Sequence, residues 1–473
     1  MKYNENKTKI VATIGPSSDN YETMRLLVEA GVSTIRANFS HGNPDDHKHK
    51  FEIAREISKE LDRPISLMLD TKGPEIRIGK MENDAVEIPA KKLLKIKTDE
   101  YSYKNLIGNA DTITVSYRMD KDVRPGNKIL LDDGKLVTVV KEVKEMEITV
   151  ETVNGHKLKT NKRINIPGVD FSLPFLGEKD KNDIAWGAKY KVDYIAASFV
   201  NSAKNVKEIR EILDANGGDH IQIISKIESQ FGINNIDEII EASDGIMIAR
   251  GDLGLEIPYY DVPYYEKKII RKCRLAGKQV IVATQMLDSM ENSPMPTRAE
   301  VTDVYYAVEL GADATMLSGE TASGKYPAEA VKTMAKIQRR AEKEYYTEHF
   351  YNKQIEKVAT QPESRMLIAY EVAKILQSGE YKFAIVLSHT GKLLKEVSRY
   401  RPNSNIIGVV SDDKLVWSFG ITAGVFCEKH SVAVRNLIKH DHAAGSKVLE
   451  NYGVKKGDKF IVVDSLNITT HEY

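Results

Sequence analysis

The stretch GIMIARGDLG, residues 245–254, runs from a short apolar segment straight into two charged residues. Residues 246–249 form an apolar run typical of a strand buried inside a parallel sheet. Arg250 and Asp252 follow without a turn-like spacer, and only Gly251 separates them. Charges at the mouth of a buried strand cost desolvation free energy unless a side chain, a metal or a substrate pairs with them. The stretch therefore predicts a strand whose carboxyl end carries chemistry.

The same pattern, an apolar run that ends in polar residues, occurs in eight stretches of the chain. Helix-period segments lie between most of them, and several stop at a glycine typical of a helix C-cap: Gly31, Gly217, Gly277 and Gly311. Such units predict a (β/α)₈ barrel, in which the loops after the strands carry the active site. A doubly wound open sheet is the structural alternative. The eight stretches are KIVATIGP (9–16), STIRANFSHG (33–42), ISLMLDTKGPE (65–75), VDYIAASFV (192–200), IQIISKIES (221–229), GIMIARGD (245–252), QVIVATQML (279–287) and ATMLSGET (314–321).

Two regions depart from the alternation of strand and helix. Between Glu75 and about Asp170 short alternating runs and the turn LDDGK (131–135) are typical of β-hairpins. After about Glu344 a second set of strands and helices begins. The predicted fold is α/β, a (β/α)₈ TIM barrel with an inserted small β-barrel domain and a C-terminal α/β domain. The predicted domains are 1–71 and 169–344 for the barrel, 72–168 for the insertion and 345–473 for the C-terminal domain.

Composition excludes several classes of partner. The 473 residues contain 68 Lys plus Arg and 68 Asp plus Glu, so the formal net charge is zero. This balance favours neither nucleic acid nor a membrane surface as a partner. The two cysteines have no metal-ligand spacing, and no apolar run approaches the length of a membrane span. The expectation is a cytoplasmic protein without disulfides.

Strand alternation gathers charged residues at one end of the predicted barrel. Arg36, Asn38 and Ser40 share one face of their strand, Lys226 lies on the same side as Glu228, and the same parity places Arg250 with Asp252. Two carboxylates with open positions suit Mg²⁺, and neighbouring cations suit a phosphoryl group in transfer. The predicted set comprises the carboxylates Asp70, Glu228 and Asp252 and the cations Arg36, Arg77, Lys226 and Arg250.

Taken singly, these residues have structural explanations. Arg250 and Asp252 could form a structural ion pair. Lys226 and Glu228 could belong to a polar layer inside a barrel. Asn38 and Ser40 could cap loop backbone. Structural ion pairs have no reason to gather only at strand carboxyl ends. Their joint occurrence therefore favours an active site.

Several motifs resemble the signature blocks of the pyruvate kinase family. They are TKIVATIGP, RANFSHG, LDTKGPEIR, ISKIES, ARGDLGLEIP, ATQMLDSM, PTRAEVTDV and LSGETASGKYP, in that order. The resemblance implies transfer of the phosphoryl group of phosphoenolpyruvate to ADP, followed by protonation of the enolate to pyruvate.

The resemblance also implies roles for individual residues. Glu228 and Asp252 would hold Mg²⁺ or Mn²⁺, Lys226 would stabilise the transferring phosphoryl group, and Arg36 would bind phosphate. The backbone of Gly251 and Asp252 would receive the substrate carboxylate. A water chain near Thr284 and Ser318 is the expected proton donor. The implied K⁺ ligands are Asn38, Ser40, Asp70 and the Thr71 carbonyl, and Glu75 stands where K⁺-dependent members have glutamate.

The inserted domain would close as a lid over the nucleotide. Arg77 is the implied nucleotide contact, with His41 and Lys162 as further candidates. Lys162 is equally explained as a solvated surface lysine. The family expectation for assembly is a homotetramer.

The C-terminal loop LSHTGKLL (387–394) predicts a site for a phosphorylated allosteric effector. Ser388, Thr390 and Lys392 are its candidate contacts, just before a helix. An unregulated structural domain is the alternative there. Two rival functions stay open at this point: a Mg²⁺-dependent aldolase or lyase acting on an enolate, and a catalytically silent barrel that senses sugar phosphates.

Overall fold

The computed structural model describes residues 6–346, 353, 355, 364–464 and 467–473. Within these residues, eight parallel strands close into a barrel. They coincide with the eight stretches picked out from the sequence, so the closed barrel is confirmed and the open sheet is wrong. The barrel strands are Lys9–Thr13, Val32–Asn38, Ser66–Asp70, Tyr194–Ala197, Gln222–Ile227, Gly245–Ala249, Gln279–Ala283 and Ala314–Leu317.

Strand Gly245–Ala249 shows why these runs are apolar on both faces. Ile246 and Ile248 pack outward against the helices, whereas Met247 faces the barrel interior with Met68 and Ile281. A strand covered on both faces has no polar side. The charged residues that follow such a strand therefore lie where the chain leaves the buried core.

Helices cover the outside of the barrel and begin and end at recognisable signals. Thr297 caps the helix Arg298–Leu310 in a reciprocal arrangement with Glu300, and that helix ends at Gly311 with φ of 94°. Gly31 and Gly277 also cap helices as predicted. The helices around the barrel are Tyr21–Ala30, Pro44–Glu60, Glu178–Tyr190, Ala203–Ala215, Gln230–Asn234, Ile236–Ala242, Arg250–Glu256, Val262–Ala276, Arg298–Leu310, Gly319–Ala322 and Pro327–Tyr345.

The insertion after the third barrel strand is a curled, mostly antiparallel sheet with its own core, in which only Leu93–Lys97 and Thr112–Thr114 pair parallel among the described strands. The predicted hairpin joins Lys128–Leu131 to Leu136–Lys144, and Asp132, Asp133 and Gly134 all have positive φ. The sheet curls until Ile78 bridges to Val115. Its strands are Ile76–Arg77, Leu93–Lys97, Thr112–Thr114, Lys128–Leu131, Leu136–Lys144, Glu147–Thr152 and Arg163–Asn165; Ala85–Ile88 pairs with His156–Lys159 nearby, and one helix spans Glu100–Asn105.

The C-terminal region packs a second α/β sheet against the amino-terminal end of the barrel. Its strands are Val425–Lys429, Asn405–Val410, Tyr381–Leu387, Lys459–Val463 and Ile468–Glu472 in spatial order, of which the last is antiparallel. Its helices are Ser364–Gln377, Lys392–Arg399, Asp413–Trp417, Val432–His440 and His442–Leu449. Both cysteines are buried and free, as expected. In the described part of the chain, no helix combines the length and apolarity needed to cross a bilayer.

Candidate active site

A cavity of about 570 Å³ lies between the carboxyl end of the barrel and the inserted sheet, and we call it the rim cavity. Most of the residues predicted from the sequence line it, together with several that were not. Its lining comprises Arg36, Asn38, Ser40, His41, Lys72, Glu75, Arg77, Asp133, Lys162, Arg163, Ser198, Phe199, Lys226, Glu228, Gly251, Asp252, Leu255 and Gln285.

Lys226 is the centre of the polar network on the cavity floor. Its Nζ lies 3.0 Å from Asp70 Oδ1 and 3.1 Å from Glu228 Oε1, and it donates to Ser198 Oγ at 2.8 Å. Burial disfavours the ammonium charge, but attraction to Asp70 and Glu228 outweighs it and raises the pKa of Lys226. Lys226 is therefore favoured in its charged form and is held in place between two carboxylates.

Asp70 holds a second cation in place beside it. Arg36 Nε donates to Asp70 Oδ2 at 2.7 Å, and Arg36 Nη1 donates to Thr13 Oγ1 at 2.7 Å. Burial opposes the Asp70 charge, yet Arg36 and Lys226 together lower the pKa of Asp70. One buried carboxylate thus holds two cations side by side at the cavity floor.

Glu228 is oriented by a strained backbone. Its Oε2 accepts the Phe199 N–H at 2.7 Å, and Phe199 has φ of 54°. A non-glycine residue at positive φ is uncommon and is held there only by its surroundings. The contact turns the Glu228 carboxylate toward Lys226 and the cavity.

Four oxygen donors predicted as a monovalent-cation site lie beside this network. Asn38 Oδ1 accepts the Ser40 N–H at 3.1 Å, and the Thr71 carbonyl accepts the Ser198 hydroxyl at 2.7 Å. Asp70 follows at the end of the neighbouring strand. Ser198 was missed by the sequence analysis, and it connects this oxygen set to Lys226.

Arg250 does not share the direction of Asp252, so that prediction was wrong. The strand ends at Ala249 and a helix begins at Arg250, which replaces two-residue alternation by the helical period. Arg250 Nη1 lies 2.6 Å from Asp303 Oδ1, and Nη2 donates to the Thr284 carbonyl at 2.8 Å. Arg250 therefore belongs to a separate structural ion pair, whereas Asp252 faces the rim cavity.

Thr284 and Ser318 lie at the same end of the barrel but outside the cavity lining. Thr284 has φ of 69°, and its Oγ1 accepts the Gly251 N–H at 2.7 Å. For a β-branched residue this backbone conformation is a clear outlier. The Ser318 hydroxyl is buried and has no hydrogen-bond partner among the residues described.

The inserted domain contributes charged residues to the side of the rim cavity that faces the barrel end. Arg77 pairs with Glu75 at 2.8 Å, and Lys162 pairs with Asp132 at 3.0 Å. Arg163, which the sequence analysis did not single out, contacts Asp252 directly. Its only sequence signal was its position next to Lys162, and both residues line the rim cavity.

The predicted effector loop is hydrogen-bonded to itself. Ser388 Oγ accepts the Gly391 N–H at 3.0 Å, and Thr390 Oγ1 accepts the Lys392 N–H at 3.5 Å. Lys392 is exposed at the start of its helix. The loop is shaped by these contacts, and its ligand stays a prediction.

Comparison with known proteins identifies the family to which this arrangement is similar. The family model of the pyruvate kinase barrel domain matches residues 5–331. A pyruvate kinase of Geobacillus stearothermophilus is 43% identical over 459 residues, covering 96% of this chain and 77% of its own length. One from Clostridium acetobutylicum is 39% identical over 460 residues and covers 96% and 95%.

A solved structure gives the same result at the level of the fold. A pyruvate kinase from Cryptosporidium parvum superposes with a TM-score of 0.92 at 36% identity. The match covers 99% of this chain and 96% of that one.

Proposed function

We propose that Lys226, Glu228 and Asp252 carry the chemistry of this chain, from the premise that it belongs to the pyruvate kinase family. The chain is a phosphotransferase of glycolysis, and the family reaction moves a phosphoryl group from phosphoenolpyruvate to ADP. The observation that supports the assignment is the fixed Lys226 ammonium, held by two buried carboxylates on the cavity floor. Phosphoryl transfer depends mainly on positioning and charge neutralisation.

Glu228 and Asp252 fit a divalent metal ion. Both carboxylates line the rim cavity, and Mg²⁺ commonly takes one or two protein carboxylates plus water and substrate oxygens. Mg²⁺ or Mn²⁺ bound there would supply positive charge to the phosphate and enolate oxygens. Glu228 is held by Phe199 N–H, so its side chain is already oriented toward that position.

Removing one carboxylate tests the metal assignment. We expect Asp252→Ala to weaken Mn²⁺ binding by about tenfold or more. Loss of a residue that only hydrogen-bonds to a metal ligand typically costs that much affinity, and loss of the ligand itself should cost at least as much. Electron paramagnetic resonance of free Mn²⁺ measures this without turnover. Asp214→Ala removes an exposed carboxylate from a barrel helix and serves as the control. Unchanged affinity in Asp252→Ala would remove Asp252 from the metal site.

The remaining substrate contacts follow from the cavity walls. Arg36 faces the phosphoryl group, and the backbone at Gly251 and Asp252 receives the substrate carboxylate. Thr284 lies against Gly251 and, with Ser318, borders the route by which water protonates the enolate. Arg77 and Lys162 contact the nucleotide from the lid and His41 contacts it from the barrel, since all three line the cavity.

The oxygen set of Asn38, Ser40, Asp70 and Thr71 fits K⁺. All four are hard oxygen donors on adjacent strand ends, which suits an alkali cation better than nitrogen or sulfur ligands would. A bound K⁺ would add positive charge beside the phosphoryl group. Glu75 provides no such charge itself, because it is an anion paired with Arg77.

The proposed function also includes an assembly, a site of regulation and a division into domains. The chain acts in the cytoplasm as a homotetramer whose activity responds to a phosphorylated effector at Ser388, Thr390 and Lys392. The working domain limits are 1–71 with 169–344, 72–168 and 345–473.

One assay tests the reaction and its cation requirement together. Pyruvate formation from phosphoenolpyruvate and ADP is measured with Mg²⁺, in K⁺ and in tetramethylammonium at equal ionic strength. We expect turnover in K⁺ to exceed that in tetramethylammonium by about 100-fold or more, the size of effect that a fixed charge at a transition state produces. Equal turnover would contradict the K⁺ site, and no turnover in either salt would contradict the proposed function.

A further inference from the structure

Arg163 and Asn165 meet a barrel helix in matching register. They lie two residues apart on one strand of the inserted sheet, so their side chains project to the same face. Asp252 and Glu256 lie four residues apart on the helix Arg250–Glu256, also on one face. Arg163 contacts Asp252, and Asn165 Nδ2 donates to Glu256 Oε1 at 3.4 Å. We call these four residues the lid seam.

Arg163 lies close to three carboxylates. Besides Asp252, its Nη1 lies 3.7 Å from Glu75 Oε1 and its Nη2 lies 3.8 Å from Asp133 Oδ1. The side chains of Arg163 and Asp252 are each only 20% exposed, so solvent screens their attraction less than at an open surface. Of these three carboxylates, Glu75 is also paired with Arg77, so Asp252 is the one that Arg163 contacts most closely.

Asp252 is also the carboxylate that the proposed function gives to the metal, and the present inference rests on that assignment. A divalent ion and a guanidinium placed against the same carboxylate repel each other at close range. Either Arg163 leaves Asp252 when the metal arrives, or it holds Asp252 in place for the metal. The two possibilities predict opposite effects of removing the guanidinium.

We propose that Arg163 is a metal-sensitive latch: it competes with the divalent ion for Asp252, and metal binding releases it from the lid seam. The freed guanidinium still lines the rim cavity, where it binds the phosphate oxygens of the nucleotide. Metal binding thereby breaks one of the two side-chain bridges of the lid seam. The nucleotide-free enzyme binds metal more weakly than its carboxylates alone would allow.

The sign of one change in affinity decides between the two possibilities. Mn²⁺ is titrated into the full-length, nucleotide-free enzyme and free Mn²⁺ is measured by paramagnetic resonance. We expect Arg163→Gln to bind Mn²⁺ at least about fivefold more tightly than wild type, the lower end of typical coupling between two sites. Arg124→Gln removes an exposed arginine from a loop of the same inserted domain and controls for the general loss of positive charge, so its Mn²⁺ affinity should change little.

Asn165→Ala separates competition from lid opening. It breaks the other bridge of the seam and leaves Arg163 on Asp252. We expect its Mn²⁺ affinity to stay at the wild-type value. An increase equal to that of Arg163→Gln would overturn the latch, because opening the lid would then account for the effect.

Hydrogen exchange of the wild-type enzyme tests the latch independently if Arg163→Gln does not fold. Mn²⁺ alone should increase hydrogen exchange at amides 163–165 and 250–256, since the seam loses a bridge. No increase would overturn the proposal, as would unchanged or weaker Mn²⁺ binding by Arg163→Gln. Wild-type enzyme that binds no Mn²⁺ would refute the metal assignment itself, a different failure from that of the latch.

Discussion

Lys226→Met is expected to lower pyruvate formation by about 10³-fold or more, because phosphoryl transfer loses a fixed cation of the kind worth that much in related chemistry. Lys226 is the one side chain of the described cavity that touches Asp70, Ser198 and Glu228 together. Its pKa is raised above the ordinary value of a lysine, so the ammonium persists throughout the neutral range. The loss should therefore appear in kcat at every pH near neutrality.

The same substitution leaves two buried carboxylates without their shared ammonium. Asp70 retains Arg36, and Glu228 retains the Phe199 N–H, so the local fold keeps partners on both sides. Some loss of thermal stability is nevertheless expected, because breaking buried pairs is costly. Activity must be expressed per folded molecule, with Tm measured in parallel.

The control is Lys207→Met, which removes an exposed lysine from a barrel helix. It should leave kcat and Tm near wild type. A Lys226→Met enzyme that is folded and still transfers phosphoryl groups at the wild-type rate would contradict the assignment of Lys226.

The barrel was predictable because its signals are local. Each strand is a short apolar run covered on both faces, and each run ends at polar residues on the same rim. In one such strand Met247 points into the barrel, whereas Ile246 and Ile248 point outward to the helices. A closed parallel barrel imposes this pattern. Such features depend on neighbours two to four residues apart, which a sequence shows directly.

The site was only partly predictable because its remaining contacts are long-range. The direction of the Arg250 side chain was predicted wrongly because the sequence does not show at which residue the strand ends and the helix begins. Arg163 reaches Asp252 across 89 residues of chain, and Ser198 reaches Lys226 across 28. The positive φ of Phe199 and Thr284 has no sequence signal at all, since neither residue favours that conformation.

The contact between the barrel and the C-terminal region includes a buried ion pair with no counterpart in the sequence motifs. Arg401 Nη2 lies 2.7 Å from Asp313 Oδ2, and their side chains are 5% and 2% exposed. Asp313 also accepts the Val280 N–H at 3.1 Å and the Ala423 N–H at 3.0 Å. One carboxylate thus ties a barrel strand to two segments of the C-terminal region.

Arg401→Met should therefore be strongly destabilising. It removes the guanidinium that pairs with the buried Asp313 carboxylate, and breaking a buried ion pair typically costs about 3–5 kcal/mol of unfolding free energy. The matched control is Lys459→Met, which breaks an exposed ion pair with Glu380 in the same region and should leave the unfolding midpoint close to wild type. Urea unfolding followed by both fluorescence and activity measures the difference and shows whether the regions separate before the barrel unfolds. Equal midpoints for the two variants would show that the Asp313–Arg401 pair does not hold the C-terminal region to the barrel.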